Sequence, residues 1–125
     1  MFNPNAPAST KELFGLPYSI DESEYVVIPV PWDVTASYQK GTSLGPSQIK
    51  KASTQVDLFD HYVPKSWENK IVMEQISTKI SDLNHQLNEL KDQKDRASYI
   101  KEVNKASTVL NEWLYNKSKT YINKD

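Results

Sequence analysis

Tyr25-Val26-Val27-Ile28-Pro29-Val30-Pro31-Trp32-Asp33, followed at Gly45 by Gly-Pro-Ser-Gln-Ile, is the stretch that decides the fold. The β-branched run Val26–Ile28 predicts a strand over Tyr25–Val30. It is apolar at successive positions rather than alternate ones, which predicts a parallel strand covered on both faces. Pro29 and Pro31 lack the N–H a ladder needs, so pairing must stop near Ile28–Val30. A polar loop with Gly41 at its bend then leads to Gly45-Pro46, where proline suits the first turn of a helix because no intrahelical N–H is missed there. Ile49, Ala52, Ser53 and Val56 lie on one face at helical spacing. Leu58-Phe59 predicts a short second extended segment. Strand, loop and helix in this order make half of a parallel βαβ unit, and hence an α/β fold.

Upstream, Asn3-Pro4, Ala6-Pro7 and Leu16-Pro17 predict an irregular arm, which Phe14, Leu16 and Tyr18 pin to a surface. Downstream the chain changes character. All three glycines and all seven prolines lie before Lys65. Residues 1–69 carry net negative charge, and the rest carry net positive charge. Met73, Ile76, Ile80, Leu83, Leu87 and Leu90 recur at spacings of three and four, an amphipathic helix with a heptad-like seam. A polar break at 91–96 separates it from Ile100, Val103, Ala106 or Ser107, Leu110, and Trp113 or Leu114. The pattern predicts an αα-hairpin over 71–120 with Asp95 as N-cap of its second helix, although one continuous helix stays open. The seam is too short for a convincing coiled coil, so it is assigned to packing within the chain; a homo-oligomer remains the alternative. The boundary falls at 70, with a strand–loop–helix part at 1–70 and a helical part at 71–125.

Composition narrows the chemistry. The 125 residues carry 15 basic and 16 acidic side chains, a net charge of −1, with a mean hydropathy of −0.66. Near-neutral charge argues against a nucleic-acid partner. No apolar run is long enough for a membrane span, and the N-terminus has no secretory apolar core. A cytoplasmic setting fits. Without cysteine there is no disulfide, thiolate nucleophile or thiolate metal site. His61 and His85 stand alone, without carboxylates at ligand spacing, so neither predicts a metal site. Trp67 and Trp113 read as packing residues. Trp32 and Asp33 differ: they follow the strand at its carboxyl end, where open α/β sheets place ligands. An acid there either binds a cationic substrate or ties the loop by an Asx turn.

Ile28-Pro29-Val30-Pro31-Trp32-Asp33, the loop with Ser37 and Gly41, and Gly45-Pro46-Ser47-Gln48-Ile49 together resemble the N-terminal signature of the arginase/agmatinase (ureohydrolase) family over about Val26 to Asp60. The resemblance implies a three-layer α/β fold with a parallel sheet between helices. It also implies hydrolysis of a guanidino compound to urea and an amine, with two manganese ions activating a bridging water in the intact protein. It places Trp32 and Asp33 at the rim of the guanidino site, Trp32 as a wall and Asp33 toward the cationic end of the substrate. The family's ligand segments, Gly-Gly-Asp-His, Asp-Ala-His-x-Asp and Ser-x-Asp-x-Asp, do not occur in these 125 residues. The chain therefore reads as the N-terminal fragment of such an enzyme, with no catalytic residue and no bound metal of its own, and with the helical part as an elaboration. The reading from a different class is a non-catalytic helical interaction module with a relic ureohydrolase N-terminus.

Overall fold

A computed structural model describes residues 2–122. The elements run β1 (Tyr25–Val27), α1 (Gly45–Ser53), β2 (Ile71–Met73), α2 (Thr78–Leu90) and α3 (Arg96–Ile122), with 3-10 turns at Leu13–Gly15, Thr42–Leu44 and Ser66–Glu68. They belong to two compact units, one within residues 2–29 and 45–75, the other within 30–44 and 76–122. Ile71–Gln75 join the strand-bearing unit, and the loop after β1 joins the helical one.

In the first unit β1 pairs with β2 in parallel, Tyr25 opposite Ile71 and Val27 opposite Met73. The parallel strand is present, but it ends at Val27 rather than Val30, since neither Pro29 nor Pro31 can donate to a ladder. Its expected burial on both faces is not found. Tyr25 is 59% exposed and Val27 39%, because only two strands pair among the described residues and β1 keeps an uncovered face. The second extended segment lies at Ile71–Met73, not at Leu58–Phe59. Aspartates claim the latter region for turns: Asp57 Oδ1 accepts the Phe59 N–H, and Asp60 Oδ1 accepts those of Tyr62 and Val63. Met73, whose spacing makes it the first residue of a helical seam, is a buried strand residue.

α1 starts at Gly45 as expected, but its apolar residues do not face a core. Ile49 is more than half exposed, as is Val56 beyond the helix end, and Ser53 alone of the predicted stripe is buried. The helix instead packs on the 3-10 turn at Leu13–Gly15. Ser53 Oγ accepts the Phe14 N–H at 2.9 Å and donates to the Lys50 carbonyl at 2.7 Å, so the buried hydroxyl is satisfied. Lys50 Nζ reaches Glu12 Oε2 at 2.7 Å beside it. Leu13 and Leu16 are among the most buried side chains of the chain, so the arm is a structural part of this unit. Gly15 makes the turn with φ 65°, and a Cβ there would lie 2.6 Å from the Ala8 Cβ. Gly15→Ala is therefore expected to destabilise this unit by about 1–3 kcal/mol through strain and overlap together. Thermal unfolding followed by circular dichroism measures it, and an unchanged midpoint would remove the close approach from the account.

In the second unit Ser77 caps α2, its Oγ accepting the Ile80 N–H. Asp95 caps α3 as expected, Oδ1 accepting the Ser98 N–H at 3.0 Å. The Ser98 side chain, and then its N–H, hold the Asp95 carboxyl below the ordinary range. The helices start at Thr78 and Arg96, so the helical part is shorter at its start than the predicted 71. Val34, Leu87, Val103 and Ala106 form the core of this unit, with Trp32, Leu83, Leu90 and Tyr99 packed against it. The seam of α2 is thus buried within the chain, against α3 and against the segment that follows β1.

Candidate functional site

The residues after β1 alternate in destination. Trp32 and Val34 turn into the apolar core between α2 and α3, Val34 fully and Trp32 by part of its surface. Asp33 between them is left facing the polar side of α2. The Trp32 N–H bonds the Val30 carbonyl at 3.0 Å and the Ala36 N–H bonds the Asp33 carbonyl at 3.0 Å, so the backbone reverses sharply here.

Asp33 is 6% exposed and is the centre of a hydrogen-bond network. Its backbone N–H donates to Asn84 Oδ1 at 2.7 Å, and its carboxylate Oδ1 accepts from Asn88 Nδ2 at 2.9 Å. Oδ2 accepts the Gly41 N–H and the Ser43 hydroxyl, both at 2.9 Å, with a longer bond from the Ser43 N–H at 3.4 Å. Asn84 and Asn88 are four residues apart on α2 and so share a face. Through its backbone N–H and its carboxylate together, Asp33 thereby ties two turns of a helix to the far end of an eleven-residue loop. The bend itself is made at Gly41, whose φ of 120° lies outside the region open to other residues.

Burial alone would push the Asp33 carboxyl upward, because it penalises the charge. The Gly41 N–H, the Asn88 amide and the Ser43 hydroxyl outweigh it and hold the group well below the usual carboxylate range. A carboxylate in this state stays ionised at neutral pH. Its accepting lone pairs are used within the chain. Two other buried polar atoms have no partner among the described residues: Asn88 Oδ1 and the Tyr99 hydroxyl. Burial, with the nearby charge of Asp92, raises the Tyr99 phenol above its ordinary value.

Of the residues singled out from the sequence, the structure brings Trp32, Asp33 and Gly41 together and leaves the histidines apart. His61 stacks edge-on with Phe59, ring centroids 5.0 Å apart, and His85 pairs with Glu89 on the exposed face of α2. Among the described residues no three His, Cys, Asp or Glu side chains come together as a metal would require. Manganese therefore fits no group of described residues in this chain. Asn84, Asn88 and Ser43 join the network without having stood out in the sequence. The signal for the first two lies in α2: Leu83-Asn84 and Leu87-Asn88 put an asparagine directly after two seam leucines, on the edge of a buried stripe.

Comparison with known proteins relates the chain, not these particular contacts, to a family. The family model described as Arginase family matches residues 23–112. Forty-two residues of the chain are 38% identical to the N(1)-aminopropylagmatine ureohydrolase of Synechocystis sp.. That match covers 34% of this chain and 14% of the relative. No solved structure gives a significant match. No helix among the described residues is long and apolar enough to cross a membrane.

Proposed function

The chain belongs to the arginase family, and from that premise we propose that it is the amino-terminal part of a manganese-dependent ureohydrolase acting on a guanidino compound of the agmatine type. The observation that carries this reading is the family match over residues 23–112, which takes in β1, the Asp33 loop, α1, β2, α2 and most of α3. The relative's name makes aminopropylagmatine a substrate to test beside agmatine, arginine and guanidinobutyrate. In this reading the whole enzyme is a three-layer α/β protein, and it works in the cytoplasm. The strand-bearing part forms one end of its parallel sheet, and the α2–α3 hairpin is an elaboration upon it. The manganese ligands come from elsewhere in the enzyme, and residues 1–125 release no urea by themselves.

Trp32 and Asp33 belong to the rim of the guanidino pocket in this reading. Trp32 offers the part of its ring left outside the core as a wall. Asp33 acts through its charge and through the loop it holds, its carboxylate oxygens being bonded to Gly41, Ser43 and Asn88.

The in-frame DNA beyond Asp125 decides first. A continuation with Gly-Gly-Asp-His is expected, and the protein it encodes should release urea from at least one of these substrates when loaded with Mn²⁺. A stop codon after Asp125, with a purified chain that binds a partner protein, would favour the interaction module instead. Stoichiometric binding of micromolar Mn²⁺ by residues 1–125, read by calorimetry, would overturn the placement of the ligands elsewhere.

A further inference from the structure

Helix α2 does more than cover the core of its unit. Its outer turns present Asn84 and Asn88, four residues apart, to one residue of the loop that follows β1. The two amides take complementary parts. Asn84 accepts from the Asp33 backbone, which fixes where the loop begins, and Asn88 donates to the Asp33 carboxylate, which fixes where that carboxylate points. The carboxylate's second oxygen then collects Gly41 and Ser43, at the far end of the loop. Between these ends residues 35–42 are all exposed and make no packing contact with a core. The shape of the loop therefore depends on Asp33, and the setting of Asp33 depends on α2.

We infer that Asn84 and Asn88 are positioning residues, which act through Asp33 to fix the loop 34–44 that forms the substrate-side rim. This assigns a role to α2: it preorganises the loop that follows β1. The clause about the rim rests on the function proposed above; the clamp of α2 on the loop does not. Preorganisation matters because a loop frozen before binding loses less entropy when a substrate orders it.

The experiment uses the 125-residue chain and follows amide hydrogen exchange by NMR. Asn88→Asp sets two carboxylates against each other without changing side-chain size. Exchange at Gly41 is expected to speed by about 10-fold or more, with Leu87 and Val103 in the helices changed by less than about 2-fold. The exchanged pair Asp33→Asn with Asn88→Asp restores an amide donor facing a carboxylate, and leaves an amide oxygen for Gly41 and Ser43. It should return Gly41 to near its original protection, which a merely structural effect at 88 would not do. Unchanged exchange at Gly41 in Asn88→Asp, or failure of the exchanged pair to recover it in a folded protein, overturns the inference. Should Asn88→Asp unfold, Ser43→Ala tests the same clamp from the loop side. It should loosen Gly41 alone, and a Gly41 amide indifferent to it counts against the clamp.

In the longer enzyme, Asn88→Asp should raise KM for the guanidino substrate by about 10-fold with a smaller change in kcat, as removal of a binding preorganisation does. An unmoved KM with a loosened Gly41 would refute the rim and keep the clamp. Failure of the enzyme to release urea at all refutes the proposed function and leaves the exchange result standing.

Discussion

Asp33→Ala is expected to destabilise the helical unit by about 2–4 kcal/mol, out of a total stability of roughly 5–15 kcal/mol for an ordinary domain. The substitution removes the acceptor for the Asn88 amide, the Gly41 N–H and the Ser43 hydroxyl together. Gly41 and Ser43 can recover water once the loop is released, which limits the loss. The Asn88 amide sits at the edge of the core, its oxygen already without a partner, and bears more of the penalty for desolvation. Asp33→Asn should cost less than Asp33→Ala. Rotation of the Asn88 amide would turn its unpartnered oxygen toward the new donor, and the new amide oxygen still serves Gly41 and Ser43. Urea unfolding followed by circular dichroism and tryptophan fluorescence measures both variants. A loss below about 0.5 kcal/mol for Asp33→Ala, the range of an ordinary surface change, would remove Asp33 from the centre of the unit.

The same network sets a pH dependence. The Asp33 carboxyl titrates lower in the folded chain than in the unfolded one, whose value is about 3.9. The unfolded state therefore binds the proton first as pH falls. The contribution of Asp33 is complete above about pH 5 and declines as the pH drops through the unfolded value toward the lower folded one. Asp33→Asn should flatten the acid limb of the stability curve in that window. An identical acid limb in both proteins would mean that other carboxylates govern it.

What the sequence reveals about this fold depends on how local each signal is. The β-branched run at Val26–Ile28, the proline stop, Gly45-Pro46 at the head of α1 and the Asp95 cap are decided by neighbours in the chain, and all are found. The errors arise where two local rules compete. Leu58-Phe59 has strand composition, but Asp57 and Asp60 offer their own backbone a turn, and the turn prevails. Ile71-Val72-Met73 is a strand of three residues whose last member happens to continue a helical spacing through Ile76 to Ile80. Periodicity cannot separate the two, and the cap at Ser77 is the local mark that does. Burial is the least legible, since it depends on what covers a face rather than on the face. Tyr25, Val27 and Ile49 have the composition of a core and remain exposed among the described residues. At the site, position after the strand marks out Trp32 and Asp33. The asparagines that complete the network lie 51 and 55 residues further on and could not be paired with Asp33 by any local rule.

The second large effect is expected at Leu87. Its side chain is nearly fully buried and meets Val34 from the loop segment as well as Val103 and Ala106 from α3, so it joins three stretches of chain at one point. Leu87→Ala removes that apolar contact and leaves a cavity that Val34 and α3 cannot both close without moving. Substitutions of this kind cost about 2–5 kcal/mol. The upper part of that range is expected, because a collapse of Val34 toward the void would pull against the bond that holds the neighbouring Asp33 to α2 at Asn88. Ile100→Ala, on α3 but exposed, is expected to stay within about 0.5 kcal/mol. The pair also distinguishes the two uses of the seam. A stripe buried within one chain gives unfolding midpoints independent of protein concentration, for the original chain and for Leu87→Ala alike. A stripe that dimerises gives midpoints that rise with concentration, and a larger loss for Leu87→Ala at low concentration. Urea midpoints measured across a hundredfold range of protein concentration are expected to coincide; a steady rise would transfer the seam of α2 from the core of one chain to the interface between two.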